Sequence, residues 1–310
     1  METVDKIYHV IISMLSLRDI YSTIYPNIKE LNGISRIDTA FKMLQTMVDP
    51  KNIVTMTSSS GTTKTTVLLH VCLDTVPCLP KKFTIVRGFA GKYEVAMYSG
   101  SNKIIGINNI ETDHKAPLPI LRGEYGIKLK DKGDHWQQYV DDVISGDKYF
   151  GDFKNISNLC ILTAALLGVE KFTLSDQATS GCLVDAKFGT NIYLTILRLL
   201  VGKLSLYSSI GFVHTKPDEI RLYFEKVSQM TYKELLGADA EEQYKFLHNV
   251  PLHIIVKNYL EVNPSLPVNI CNFMEHLTKY INTAVYYNNS SYVRIVNTEG
   301  IQKLFSSLEH

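Results

Sequence analysis

Two stretches of this chain read as buried helices, and they limit what the rest can build. The first carries Ile156, Leu159, Ile161, Leu162, Leu166 and Leu167, apolar almost all round, and stops at Gly168, a good residue for a helix end. The second places Ile192, Ile196, Leu199 and Leu200 on one face. Helices of this kind lie in an interior and are typically packed on a sheet. Between them a strand over 171–175 ends at Ser175-Asp176, and a polar loop with Cys182 follows. The second helix runs into Tyr207-Ser-Ser-Ile-Gly211-Phe212, where Gly211 permits a sharp turn into a strand.

Upstream the pattern changes. Ile7, Val10, Ile11, Met14 and Leu15 have helical spacing within 3–22, as do Ile37, Ala40, Phe41 and Met47 within 36–48, where Pro50 ends the run. From Asn52 to Asn109 β-branched and aromatic residues predict an antiparallel meander of about five strands, with Gly61 and Ser99–Asn102 as turns. Residues 110–150 are polar, with one strand over Tyr125–Leu129 and one helix over His135–Ile144. Ile220–Val227 fits a strand or a short helix. Residues 231–262 are mostly helical, Cys271–Tyr280 and Glu299–Leu308 are helices, and Tyr292–Val296 is a short strand. The expected class is α/β or α+β: a mixed, mostly antiparallel central sheet covered by helices, with helical extensions at both ends. The expected divisions are 1–50 for the N-terminal helical extension, 51–215 for the α/β core and 216–307 for a mainly helical C-terminal region. Residues 308–310, Leu-Glu-His, look like a tag remnant.

Bulk properties narrow the function. The 310 residues are 45% hydrophobic and 20% charged, enough for one large domain or two ordinary ones. A formal charge of +1 argues against general nucleic-acid binding, which needs a basic excess. No apolar run reaches the roughly 18 residues needed to span a bilayer, and the N-terminus lacks the basic region of a signal peptide. The five cysteines are widely spread without a C-x-x-C pair, which argues against a zinc ribbon and for a reduced, cytoplasmic protein. No metal is expected.

Several constellations have a plain structural account. Ser58-Ser-Ser-Gly61-Thr-Thr-Lys64 lacks the Gly directly before Lys that a phosphate loop requires, and fits a hairpin turn. Asp131, Asp134, His135, Asp141 and Asp142 fit a solvated helix start better than a metal site. Cys182 has Asp176 and Asp185 nearby and His214 as the nearest candidate base for a nucleophilic thiol. Tyr207, near the end of a buried helix, fits a packed aromatic with its hydroxyl in water.

The order of elements over about 93–215 resembles the Gcn5-related N-acetyltransferase (GNAT) family, in which a β-meander, helix, strand and second helix end in a Tyr-x-x-x-Gly-Phe turn. Glu94–Tyr98 and Lys103–Ile107 resemble its second and third strands, helix 156–167 and strand 171–175 its central helix and fifth strand, and 190–212 its fourth helix and turn. The segment LTILRLLVGKLSLYSSIGF is also similar to open reading frames of large nucleocytoplasmic DNA viruses. The resemblance implies an acyl-CoA-dependent N-acyltransferase using acetyl-CoA, with Tyr207 as general acid and Asp176 orienting substrate or acting as base. It implies Arg122, Gly123, Gly126 and Asn155 as cofactor-binding positions. The family's pyrophosphate loop is absent before Ile156, where the residues are Gly151-Asp-Phe-Lys-Asn155, and Arg122-Gly123-Glu-Tyr-Gly126 is only partly similar to it. The alternative is a non-catalytic interaction or structural protein, possibly viral, on a degenerate acyltransferase-like scaffold. It would have a protein partner or self-association and sit in a host cytoplasm or a virion.

Overall fold

The structure is a computed structural model that describes residues 13–72, 83–89, 92–99, 102–127, 149–176, 179–184, 190–263, 266–267, 269–286 and 291–309. The helix expected over 135–144, with its acidic cluster, lies outside the described residues, as do Cys78, residues 177–178 and 185–189 of the polar loop, and the first part of the helix expected over 3–22. The fold is mixed α/β, with a mostly antiparallel sheet flanked by helices. The chain divides into two compact units, one of residues 1–133, 151–174 and 294–310, the other of residues 134–150 and 175–293.

The first unit is built on a sheet. Strands β1 (Ser13–Ser16), β2 (Ile53–Thr57), β3 (Thr63–Cys72), β4 (Phe83–Phe89), β5 (Lys92–Ser99), β6 (Asn102–Asp113), β7 (Ile120–Ile127) and β8 (Val169–Ser175) run in the order β1-β3-β4-β5-β6-β7-β8, with β2 paired to β3. β2 through β7 pair antiparallel with their neighbours, as the meander predicts. The Gly61 segment is a hairpin turn, closed by Ser58 N–H donating to the Thr62 carbonyl at 2.9 Å. β1 is a correction: Met14 and Leu15, expected in a helix, pair in parallel with His70 and Val71. Ser16 then caps helix α1 (Leu17–Thr23) by accepting from Arg18 N at 3.0 Å. A short helix α2 (Tyr25–Ile28) follows, then α3 (Ile34–Met47).

The buried stripe of α3 is Ile37, Ala40, Phe41 and Leu44, at the i, i+3, i+4, i+7 spacing of one face. It packs on β4 and β5, with Phe41 edge-on to Tyr93 at 5.4 Å and Tyr93 Oη donating to Asp38 at 2.6 Å. Burial, with Asp38 beside it, pushes the Tyr93 phenol well up. After β7 the chain returns through helix α4 (Tyr149–Leu166) to β8, which pairs with β7 in parallel. Gly168 between them takes φ +101°, and Arg36 runs past its α-carbon. The last helix, α10 (Thr298–Glu309, labelled in chain order after the helices below), continues through Leu308 and Glu309.

The second unit is mainly helical. It contains short strands β9 (Thr179–Ser180) and β10 (Ile192–Tyr193), which pair antiparallel. Helix α5 (Leu194–Leu200) is shorter than the second buried helix of the sequence pattern, because Ile192 and Tyr193 are taken into that pair. A 3-10 turn over Leu206–Ile210 ends at Gly211, which is left-handed at φ 79° and ψ 14° and leads into β11 (Val213–His214). β11 pairs antiparallel with Tyr292 and Val293 of β12 (Ser291–Ile295).

The Ile220–Val227 segment is a helix, α6 (Pro217–Gln229). Pro217 occupies its first turn with Asp218 and Glu219, and Ile220, Phe224 and Val227 face inward. α7 (Tyr232–Leu236) opens on a capping box between Thr231 and Glu234. α8 (Leu252–Leu260) and α9 (Ile270–Ile281) complete the unit. Their common core includes Leu197, Leu200, Phe224, Leu252, Tyr259 and Phe273.

Candidate functional site

In the first unit the feature with chemical potential is the β7–α4–β8 crossover. The parallel ladder pairs Leu121 with Val169, Arg122 with Lys171, Gly123 with Phe172 and Glu124 with Thr173. β7 runs on to Ile127 and β8 to Ser175. On its other side β7 stays paired to β6 as far as Ile127↔Ile105. Being parallel, the two strands present their carboxyl ends together, the end at which open α/β sheets take ligands.

A polar node stands at this end. The hydroxyls of Tyr125 and Ser157 share a hydrogen bond at 2.8 Å, and Arg294 Nη1 donates to Asn158 Oδ1 at 3.1 Å. Ser157 and Asn158 are buried on α4, a helix otherwise made of Ile, Leu, Ala and Cys along this face. Burial pushes the Arg294 guanidinium down to about 10, only partly countered by Tyr125. A desolvated cation beside hydroxyl and amide groups is an arrangement that favours an anion. None of these four residues stands out in the sequence. Ser157 and Asn158 interrupt an apolar helix, a signal that was available, whereas Arg294 sits in a five-residue strand and carries none.

The expected cofactor residues are in the same unit. Arg122 pairs through its guanidinium with Glu111 across the β6–β7 ladder, which raises its basicity. A β-carbon at Gly123 would collide with Ile107 Cγ2, so this glycine admits a packed side chain. Gly126 is more open, its nearest neighbour being Asn108 Nδ2 at 3.4 Å from an added β-carbon. Asn155 is exposed on α4. Arg122 and Gly123 thus lie mid-strand, engaged in an ion pair and in core packing, and do not form a phosphate cradle. Residues 128–148, which lead into α4, lie outside the described residues.

The expected catalytic residues are in the second unit. Tyr207 is in the 3-10 turn and is 5% exposed, while Asp176, just after β8, is 1% exposed. The Tyr207 ring lies 5.9 Å from that of Tyr292, which meets His214 edge-on at 4.9 Å. Tyr292 and His214 line a cavity of about 1010 Å³, together with Ser205, Ser208, Phe212 and Phe224, and Tyr207 is one ring removed from it.

Cys182 requires a correction. It is 3% exposed and disulfide-bonded to Cys271 at the start of α9, with a Cα–Cα distance of 5.5 Å. It has no thiol to act as a nucleophile in this state. The partners are 89 positions apart in sequence, too far for spacing to reveal the pair. Cys160 is buried and outside any disulfide, as expected of a small core residue. Among the described residues no group of three or more His, Cys, Asp or Glu side chains could hold a metal, and no helix is long and apolar enough to cross a membrane.

Comparison of the chain with family models, with curated proteins and with solved structures finds no match.

Proposed function

We propose that the chain is a GNAT-like acyl-CoA-dependent N-acyltransferase, acetyl-CoA being the first donor to test. The observation that carries this is the parallel β7–α4–β8 crossover with the polar node of Tyr125, Ser157, Asn158 and Arg294 beside the carboxyl end of β7. The Arg294–Asn158 pair and the Tyr125–Ser157 pair bring donors to that end. The resemblance supports the same reading through the order of elements and the Tyr207-x-x-x-Gly211-Phe212 turn.

In such a transfer an acceptor amine attacks the thioester carbonyl. The C–N bond forms as the C–S bond breaks, and the departing thiolate takes a proton. The resemblance assigns that proton to Tyr207 and the orienting carboxylate to Asp176. The setting that goes with it is a host cytoplasm or a virion.

Isothermal titration of the full chain with acetyl-CoA tests this. Saturable binding is expected, weakened roughly tenfold or more in Arg294→Gln, the worth of one charge-assisted hydrogen bond. Absence of heat at high micromolar acetyl-CoA would overturn the proposal. In a thiol-release assay with amine acceptors, Tyr207→Phe should lower turnover by roughly 10²-fold or more if the phenol is the acid.

A second reading is favoured by a different observation. Tyr207 is buried beside Tyr292, and Arg122 and Gly123 are committed to Glu111 and Ile107. These are the features of a non-catalytic scaffold for a protein partner or for self-association. It is selected if acetyl-CoA gives no heat while light scattering reports a stable assembly.

A further inference from the structure

We infer that the cavity of the second unit binds an amphipathic monocarboxylate, an aliphatic chain ending in a carboxylate. The cavity encloses about 1010 Å³, within the upper range of sites that take small molecules. Its floor is apolar, formed by Leu200, Phe212, Ile220, Phe224 and Tyr292, all buried. The apolar surface does not stop at the mouth. Leu204 and Val213 also line the cavity and are 73% and 60% exposed. Singly an exposed apolar side chain means little, but two at the rim of an apolar floor extend one continuous surface toward solvent.

The charges at the mouth choose the head group. The lining acids are Asp218 and Glu225, and Arg221 bonds to both, at 3.4 Å and 3.0 Å. That leaves Lys203, for which the described residues supply no ion pair, and Lys257, whose carboxylate neighbour Glu261 is 4.0 Å away. His214 lines the cavity as well. Its Nδ1 accepts from Lys216 N–H at 2.9 Å, so in the neutral ring the proton is on Nε2. An apolar body matches the floor, and a carboxylate matches the lysine charge at the lining. A cationic amphipath would meet like charge, and a plain hydrocarbon would leave the lysines unused. The site draws on α5, the 3-10 turn, β11, α6 and α8, so no single segment announces it. It does not depend on the acyltransferase reading, and loss of acetyl-CoA binding would leave it standing.

The test is a calorimetric titration of the full chain with decanoate, kept below its micellar concentration, with 1-decanol as the uncharged control. Saturable decanoate binding is expected, with 1-decanol weaker. The double variant Lys203→Glu, Lys257→Glu changes only exposed side chains, and its thermal melt checks that it folds. It should weaken decanoate roughly fivefold or more and leave 1-decanol unchanged. The His214 ring resonances should shift during the decanoate titration. The inference is overturned if decanoate fails to saturate, if the folded double variant binds it within twofold of the parent, if 1-decanol binds as tightly, or if the His214 signals stay in place.

Discussion

Arg36 of α3 holds the carbonyls of Ile28, Leu31 and Lys29, and it can do so because residue 168 has no β-carbon. Its Nε donates to the Ile28 and Leu31 carbonyls at 3.2 Å and 2.9 Å, its Nη2 donates to the Lys29 carbonyl at 2.7 Å, and its Nη1 pairs with Glu170. The aliphatic stem must pass Gly168, where an added β-carbon would collide with Arg36 Cγ and Cδ. The stem is tethered at its far end, so it cannot swing away, and φ +101° is itself unfavourable for alanine. Gly168→Ala should therefore destabilise the protein by about 2 to 4 kcal/mol in urea unfolding, well above an ordinary surface change. A loss under 1 kcal/mol would mean that Arg36 can be rerouted. Asp113 makes a prediction in pH. Lys171 donates to its carboxylate at 2.7 Å, and that bond, with a further one from Lys115 N, holds the carboxyl below its ordinary 3.8. A lowered folded-state value stabilises the fold above about pH 4 and loses that contribution as pH falls through the folded value. The stability gap between the parent and Asp113→Asn should be full at neutral pH and close on acidification, and a gap that is constant from pH 7 to pH 2.5 would refute it.

Helices announced themselves where one face had to be buried. The spacing of Ile37, Ala40, Phe41 and Leu44 on α3 and of Ile220, Phe224 and Val227 on α6 is local information, and the meander β2 to β6 is equally local because each strand pairs with the next. What long-range pairing decides was hidden. β1 is a strand because β3, more than fifty residues on, offers Leu69 to Cys72 as a parallel partner. The glycines and charges of ILRGEYGI suggest an irregular segment up to Tyr125, yet β6 and β8 hold Ile120–Ile127 extended, and Gly123 is needed only because Ile107 fills its place. The candidate sites divide in the same way. Tyr207 and its Gly211 turn were visible as a motif, whereas the Arg294–Asn158 pair and the cavity around His214 assemble from distant segments. The Cys182–Cys271 bond belongs to this hidden class and carries its own prediction. It closes a loop of 89 residues, for which chain entropy gives about 4 to 5 kcal/mol. Leu183 N–H to Tyr259 Oη at 2.9 Å and Asn191 N–H to Glu275 at 3.1 Å tie the same segment to α8 and α9 without covalent help. Reduction should thus lower stability by up to that amount without unravelling the segment, as read by denaturant midpoints with and without a dithiol. Equal midpoints would show that the bond contributes nothing.

Charge is a property of the chain as a whole, and here it nearly cancels: 32 Lys and Arg against 31 Asp and Glu. Much of it is also paired locally, as in Arg221 with Asp218 and Glu225, Lys245 with Glu242, and Lys303 with Glu299. A polyanion gains affinity by releasing counterions, and the salt dependence counts the cations engaged, with a slope of about −0.9 per phosphate neutralised on duplex DNA. A surface whose cations already have carboxylate neighbours can engage few phosphates without breaking those pairs. With two or three contacts, affinity should fall only about ten- to fortyfold between 50 mM and 200 mM salt, against roughly 10³-fold or more for a protein making six to ten. Fluorescence anisotropy with a labelled duplex, run across that salt range, separates the cases. A shallow slope and weak binding are expected, so that anion binding by this protein is a matter of single sites such as those at Arg294 and Lys203. A steep slope would reveal a basic stripe that the charge balance conceals, and would move nucleic acid ahead of small carboxylates and thioesters as the ligand to pursue.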